Sequence, residues 1–281
     1  QTGTCEDAKI VASSLPCKWI MGRLASTIER CNHGFEHFDL ALSADAIRSF
    51  FLDDFCGVFV ETAKAQTSAG QIAENAGVLL VCLRNILLMF HPFMPFITEE
   101  LWGVVNQGAS VSIMVSKFPC ADYFSSSADP SVGRQMDYLL SVAGSTRKLK
   151  FIASQLGVNT KESKFSLVLK KNSKNWATIK ENIHCVAVLS HVSEFHFFSN
   201  ENSSSCNPIV EENEKIIELQ VDESTSVSLI FDASEDIVMK KAGAEIVRLQ
   251  RQLEKIRKQI SKINKRQSKE QYKLHTPLDI K

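Results

Sequence analysis

The sequence predicts a mainly α protein in three parts: a helical bundle, a small α/β subdomain and a C-terminal basic coiled-coil helix. Three observations predict it. Apolar residues recur at helical spacing from Trp19 to Leu156, the period falls to two after Gly157, and from Ala233 it becomes an alternation of three and four. These changes divide the chain into 1–160, 161–232 and 233–281. With 281 residues, 44% hydrophobic and 23% charged, the chain has the material for a folded core and not the composition of a disordered or collagenous protein.

The first part reads as successive amphipathic helices. Ile20, Leu24, Ile28 and Cys31 share one face. A second run, Ile47, Phe50, Phe51, Phe55, Val58 and Phe59, follows Ser43, the expected N-cap. A third, with Ile72, Val78, Leu79, Cys82, Ile86 and Met89, stops at His91-Pro92, because proline disfavours helical backbone in the residue before it. Thr98, Glu99 and Glu100 open a shorter helix through Leu101 and Trp102. Residues 131–156 form the last, carrying Met136, Leu139, Leu140, Leu149 and Ile152. Such helices bury their stripes against one another as a bundle.

In the middle part Phe165, Leu167 and Leu169 alternate with polar neighbours, as do Ile217, Leu219 and Val221, and Val227, Leu229 and Phe231. This predicts a small sheet. The run Cys185 to Leu189 reads as a strand buried on both faces, Trp176 to Ile183 as a helix and Asn200 to Pro208 as a loop.

In the last part Ile246, Leu249, Leu253, Ile256, Ile260 and Ile263 form a coiled-coil seam. A helix from about 236 to 267 would be ~48 Å long. From Lys240 to Lys273 there are 12 Lys/Arg against 3 Asp/Glu, a net of +9. The last eight residues are neutral, so residues 1–239 carry −9 and the chain's net charge of zero is the sum of an acidic body and a basic arm. Lys and Arg flanking an apolar seam suit a nucleic-acid backbone, where each neutralised phosphate releases counterions. The competing reading is a protein–protein interaction module using the same coiled coil.

Signals for catalysis are absent. There is no glycine-rich phosphate loop, no G-x-S-x-G and no H-E-x-x-H. The eight cysteines contain no C-x-x-C pair, so they read as buried or free thiols in a reducing compartment. His184, His191 and His196 match no metal-ligand spacing, and no metal is expected. No run approaches the roughly 18 consecutive apolar residues of a membrane span, and no membrane partner is expected. Residue 1 is Gln, so the sequence is expected to begin inside a longer protein.

The segment Phe90-His91-Pro92-Phe93-Met94-Pro95-Phe96-Ile97-Thr98-Glu99-Glu100-Leu101-Trp102 resembles a motif of valyl-tRNA synthetases, in their anticodon-binding bundle. Its prolines are expected to set a sharp turn between helices, with Phe93, Phe96 and Trp102 filling the core. Trp19-Ile20-Met21-Gly22-Arg23-Leu24 resembles the family's first bundle helix, and Asp53-Asp54-Phe55-Cys56, with Glu61 and Lys64, its second. The order of bundle, α/β piece and basic arm is also similar to that family's C-terminal order.

The resemblance implies that the parent enzyme uses ATP with Mg to attach valine to tRNA(Val) and edits mischarged tRNA. The nucleotide-binding motifs of that catalytic core do not occur in this sequence, so the chain alone is expected to be inactive and to hold no cofactor. It further implies that the bundle grips the anticodon stem and loop and that the arm leans on the outer corner of tRNA. The candidate tRNA-binding residues are Arg147, Lys148 and Lys150 on the last bundle helix. On the arm they are Lys240, Lys241, Arg248, Arg251, Lys255, Arg257, Lys258, Lys262, Lys265 and Arg266. Where relatives commonly carry Arg-x-x-Arg-x-x-Arg-Ala-Asp/Glu, this chain has Arg147, Lys150, Ala153 and Gln155. In relatives the arm is a hairpin, whose second helix would begin where this sequence stops at Lys281; the uncovered seam is then expected to fray or to self-associate. The expected location is cytoplasmic, with mitochondrial as the alternative.

Overall fold

The computed structural model describes residues 12–65, 69–106, 111–121, 124, 129–156, 158, 164–170, 175–193, 195–200, 214–232 and 235–267. The fold is mostly helical with one small mixed sheet, as the sequence predicts.

Helix α1 (Leu15–Glu36) is the spine of the bundle. Cys17, Ile20, Leu24, Ile28 and Cys31 are wholly buried along one face. Its start is held by Glu74 of another helix, whose carboxylate accepts hydrogen bonds from the Ser13 amide and hydroxyl, both at 2.6 Å, and from the Ser14 amide at 3.0 Å. Burial acts against ionisation of Glu74, but those hydrogen bonds hold its carboxyl below the usual range.

Helix α2 (Leu40–Ser49) runs without a break into a π-helical segment (Phe50–Phe59) and then α3 (Val60–Lys64). Its cap is not Ser43. Asp39 Oδ1 accepts from the Leu42 amide at 3.0 Å, and Ser43 lies one turn inside the helix, its hydroxyl donating to the Cys31 carbonyl at 3.0 Å. The π-helical stretch widens the helix by one residue per turn, and Phe50, Phe55 and Phe59 all turn inward. Arg23 of α1 ties it down through Asp54 at 2.8 Å.

Helix α4 (Ala69–Phe90) ends before His91-Pro92 as expected. By length and composition Gly70–Phe90 could cross a bilayer, but half of that stretch is buried, with Val78, Cys82, Ile86 and Met89 in the core. Helix α5 (Pro95–Val105) starts at Pro95 rather than Thr98, because proline at the first helical position needs no amide partner. A 3₁₀ turn (Ile113–Val115) leads towards α6 (Pro130–Gln155), capped by Asp129.

The sheet is ordered β2-β1-β4-β3, comprising β1 (Lys164–Lys170), β2 (Phe195–Asn200), β3 (Glu214–Asp222) and β4 (Thr225–Asp232). β1 and β2 are parallel and joined by α7 (Trp176–Ser190); the other two pairings are antiparallel. The run Cys185 to Leu189 is therefore helix, not strand. It is apolar on most sides because Cys185, Val186 and Leu189 are buried while Ala187 and Val188 are half-buried. A short buried run of this kind carries no period that separates the two states. Most of the expected loop at 200–208 lies outside the described residues.

The core is continuous from bundle to sheet, with Leu149 and Ala153 of α6 in the same cluster as Leu167, Val186 and Leu229. Helix α8 (Glu235–Gln267) follows β4 as the arm. Its seam residues Ile246, Leu253, Ile256, Ile260 and Ile263 are each about half exposed.

Candidate nucleic-acid interface

At one end of the bundle two tight turns meet. The first is set by Gly34. A Cβ there would lie 2.2 Å from Ser43 Oγ and 2.9 Å from the Asp39 carbonyl, so only glycine lets α2 come this close to α1. The chain then reverses through His37, Phe38 and Asp39, with Phe38 in the left-handed region at φ 58°. His33 and His37 stack at 4.2 Å, and His37 Nδ1 donates to the His33 carbonyl at 2.9 Å. Phe38 is 90% exposed.

The second turn links α4 and α5. His91 Nδ1 donates to Thr98 Oγ1 at 2.7 Å, and the Thr98 hydroxyl donates to the Met94 carbonyl at 2.8 Å. Glu99 accepts from Ser112 Oγ at 2.8 Å and the Ile113 amide at 3.3 Å, fixing the 3₁₀ turn against α5. His91, Thr98 and Glu99 therefore shape the turn. Phe93 meets Phe35 of α1 at 5.8 Å, and Phe118 packs edge-on against Phe35 at 5.7 Å.

Between the turns lies an open cleft of about 420 Å³ lined by Asn32, Phe35, Glu36, Pro92 and Phe118. Phe38 and Phe96 stand within four residues of its lining in sequence, and Phe96 is 91% exposed. This corrects the expectation that Phe96 fills the core. Trp102 is buried and Phe93 packs against the core, but Phe96 lies on the opposite side of α5 from Thr98 and Trp102. Exposed Met94, Ile97 and Leu101 continue the surface. Two bare rings, one in each of the chain reversals that contribute residues to the cleft, have faces on which unpaired bases can stack. The polar neighbours of Phe38 in sequence, and the shared face of Phe96 and Glu100, are the signals in the sequence for this platform.

The arm carries the second surface. Every seam residue is followed two positions later by a cation: Arg248, Arg251, Lys255, Lys258, Lys262 and Lys265. Two residues correspond to about 200° of helix, so these cations form a stripe on the side away from the seam, ~26 Å long. All six are exposed, as is Arg257; Lys258 pairs with Glu254 at 2.8 Å, an exposed contact of little energetic weight. The side chains of Lys240, Lys241 and Arg266 lie outside the described residues.

On α6, Arg147 and Lys148 are exposed. Lys150 is placed differently: its ammonium donates to the His191 carbonyl at 2.6 Å and the Ser190 carbonyl at 3.3 Å, at the C-terminal end of α7. It neutralises that helix end. The α6 and arm cations stand on separate elements.

Among the described residues His184, His191 and His196 form no metal-binding group. Burial pushes the thiols of Cys17 and Cys185 up to about 12 and that of Cys31 up to about 11, so these cysteines behave as small core hydrophobes.

Fold and surfaces together define an α-helical module: a bundle with a cleft between two turns, and a helix with a cationic stripe. A family model for the anticodon-binding domain of tRNA ligase matches residues 17–168, and the chain belongs to that family. It is 35% identical over 144 residues to a valine–tRNA ligase of Neisseria meningitidis serogroup B, covering 49% of this chain and 15% of that one. To the valine–tRNA ligase of Thermotoga maritima it is 27% identical over 241 residues, covering 84% of this chain and 26% of the relative. A probable mitochondrial valine–tRNA ligase of Dictyostelium discoideum is 31% identical over 174 residues, covering 53% and 16%. The chain thus spans about a sixth to a quarter of the length of these relatives.

Proposed function

We propose that the chain is the tRNA-binding C-terminal part of a valine–tRNA ligase and that its partner is tRNA(Val). In this reading the bundle end takes the anticodon loop, with unpaired bases on Phe38 and Phe96, while the arm's stripe lies along tRNA phosphates. The observation that carries it is the almost full exposure of two phenylalanines, Phe38 and Phe96, each within four residues in sequence of the cleft's lining and inside the residues matched to the anticodon-binding family. The whole enzyme would join valine to tRNA with ATP and Mg and hydrolyse mischarged products. The residues of this chain would contribute binding and orientation, hold neither ATP nor Mg, and not aminoacylate alone. The reading places the protein in the cytoplasm, with a mitochondrial form as the alternative.

Stacking is worth ~1–3 kcal/mol per base. Phe38→Ala and Phe96→Ala should each weaken binding to tRNA(Val) by about tenfold, and much less for a transcript with a changed anticodon. Equal losses for both transcripts, or none, would overturn the assignment.

The exposed seam favours a second contact, self-association through α8. Sedimentation should show a dimer at high salt, where repulsion between the stripes is screened. It should be lost in Ile256→Lys; a monomer at all salt concentrations would refute it.

A further inference from the structure

The turn between α4 and α5 holds a hydrogen-bond chain with one end left open. The Thr98 hydroxyl has a single hydrogen, and two acceptors call on it, the Met94 carbonyl at 2.8 Å and the Pro95 carbonyl at 3.2 Å. Towards His91 it can therefore only accept, so the proton of the neutral ring stands on Nδ1, 2.7 Å away. Nε2 is then a bare acceptor. Its neighbour is Met114 Sδ at 2.8 Å, a thioether with no hydrogen to give. Two acceptors thus face each other, and the sulfur belongs to a side chain that is 71% exposed. The backbone beneath it is fixed. Ile113 is buried, the Met114 amide donates to Ser112 Oγ at 3.1 Å, and Ser112 Oγ donates in turn to Glu99. The sulfur is held beside His91 while remaining open to small solutes.

We propose that Met114 is an oxidation site whose state is transmitted through the His91 ring to the start of α5. The oxidant is a peroxide. The sulfur attacks one oxygen of hydrogen peroxide, the O–O bond breaks and an S–O bond forms. The sulfur-bound hydroxyl passes its proton to the departing hydroxide, which leaves as water; the sulfur loses two electrons and the peroxide gains them. The sulfoxide oxygen is a much stronger acceptor than the thioether, and it faces a ring nitrogen that has no hydrogen. The ring meets it by carrying its proton on Nε2 instead. The unbranched side chain backs off by about an ångström, and Nε2–H donates to the sulfoxide. Nδ1 then accepts from the Thr98 hydroxyl, and the Met94 carbonyl keeps only the Thr98 amide, at 3.3 Å. The first turn of α5 loses a side-chain hydrogen bond beside Phe96. This coupling holds whatever Phe96 binds.

The test uses the whole chain with ¹³C-methyl methionine and ¹⁵N histidine, treated with hydrogen peroxide and followed by NMR. Met114 should oxidise several times faster than Met94, which is 44% exposed, while the buried Met21, Met89 and Met136 stay reduced. As the Met114 methyl signal converts, the bare-nitrogen signal of His91 should pass from Nε2 to Nδ1. Exchange of the Thr98 amide should quicken several-fold at the same time. Methionine sulfoxide reductases for both epimers should reverse all three changes. In Met114→Leu the His91 signals should no longer respond to peroxide, which separates Met114 from Met94 as the source. A His91 ring that keeps its proton on Nδ1 after Met114 is fully oxidised would overturn the transmission. Oxidation of Met114 no faster than that of Met94 would overturn the site.

Discussion

Gly34 shows how one missing carbon sets the geometry of a binding surface. It lets the Ser43 hydroxyl and the Asp39 carbonyl sit where a methyl would be, and the resulting corner pushes Phe38 outward. Gly34→Ala should therefore cost about 1–3 kcal/mol of stability, the range for overpacking a close contact. Thermal unfolding checks this, and tRNA affinity should fall with it as the corner shifts. An alanine variant with an unchanged melting temperature would show that the corner relaxes freely. At the same scale, the placing of Phe96 is not legible in the sequence. An aromatic inside an apolar motif reads as core, and only the rotation of α5 fixed by Pro95, Thr98 and Trp102 puts it outside. Lys150 carries the same lesson in reverse: a lysine beside Arg147 and Lys148 looks like part of one basic patch until the end of α7 is seen to take its ammonium.

At the level of elements, the long periodic helices are readable because a face of regular apolar spacing has few alternatives. α4 ends, and α6 runs, close to the sequence-read limits. The π-helical segment at Phe50–Phe59 is not, since its aromatic pattern fits a 3.6-residue period nearly as well. β2 escapes a sequence reading because Phe195, His196, Phe197 and Phe198 give no clean alternation; parallel pairing with β1 decides the state. The arm allows a quantitative expectation. Removing one phosphate-binding cation should flatten the dependence of log affinity on log salt by about 0.7–0.9. Charge reversal at Arg251, Lys258 and Lys262 should thus reduce the slope by roughly two to three. An unchanged slope would mean that the stripe faces solvent in the complex.

For the whole molecule, the net charge of zero conceals a division. Residues 1–239 carry −9 and the arm +9, so attraction for any polyanion is concentrated on one extended helix while the body repels it overall. On the proposed reading, long-range approach of RNA would be led by the arm, and the exposed aromatics would act only at close range, where stacking needs no favourable charge. One continuous core runs from α1 through the bundle to β4.

The offset of two between seam and stripe also limits how such an arm can change over generations. One inserted residue turns everything beyond it by about 100°, swinging distal cations off their face and distal isoleucines off theirs at once. Seven inserted residues restore both faces and move the tip outward by about 10 Å. The reach of this helix is therefore heritable in steps rather than continuously, and the surviving steps are those that preserve both faces together.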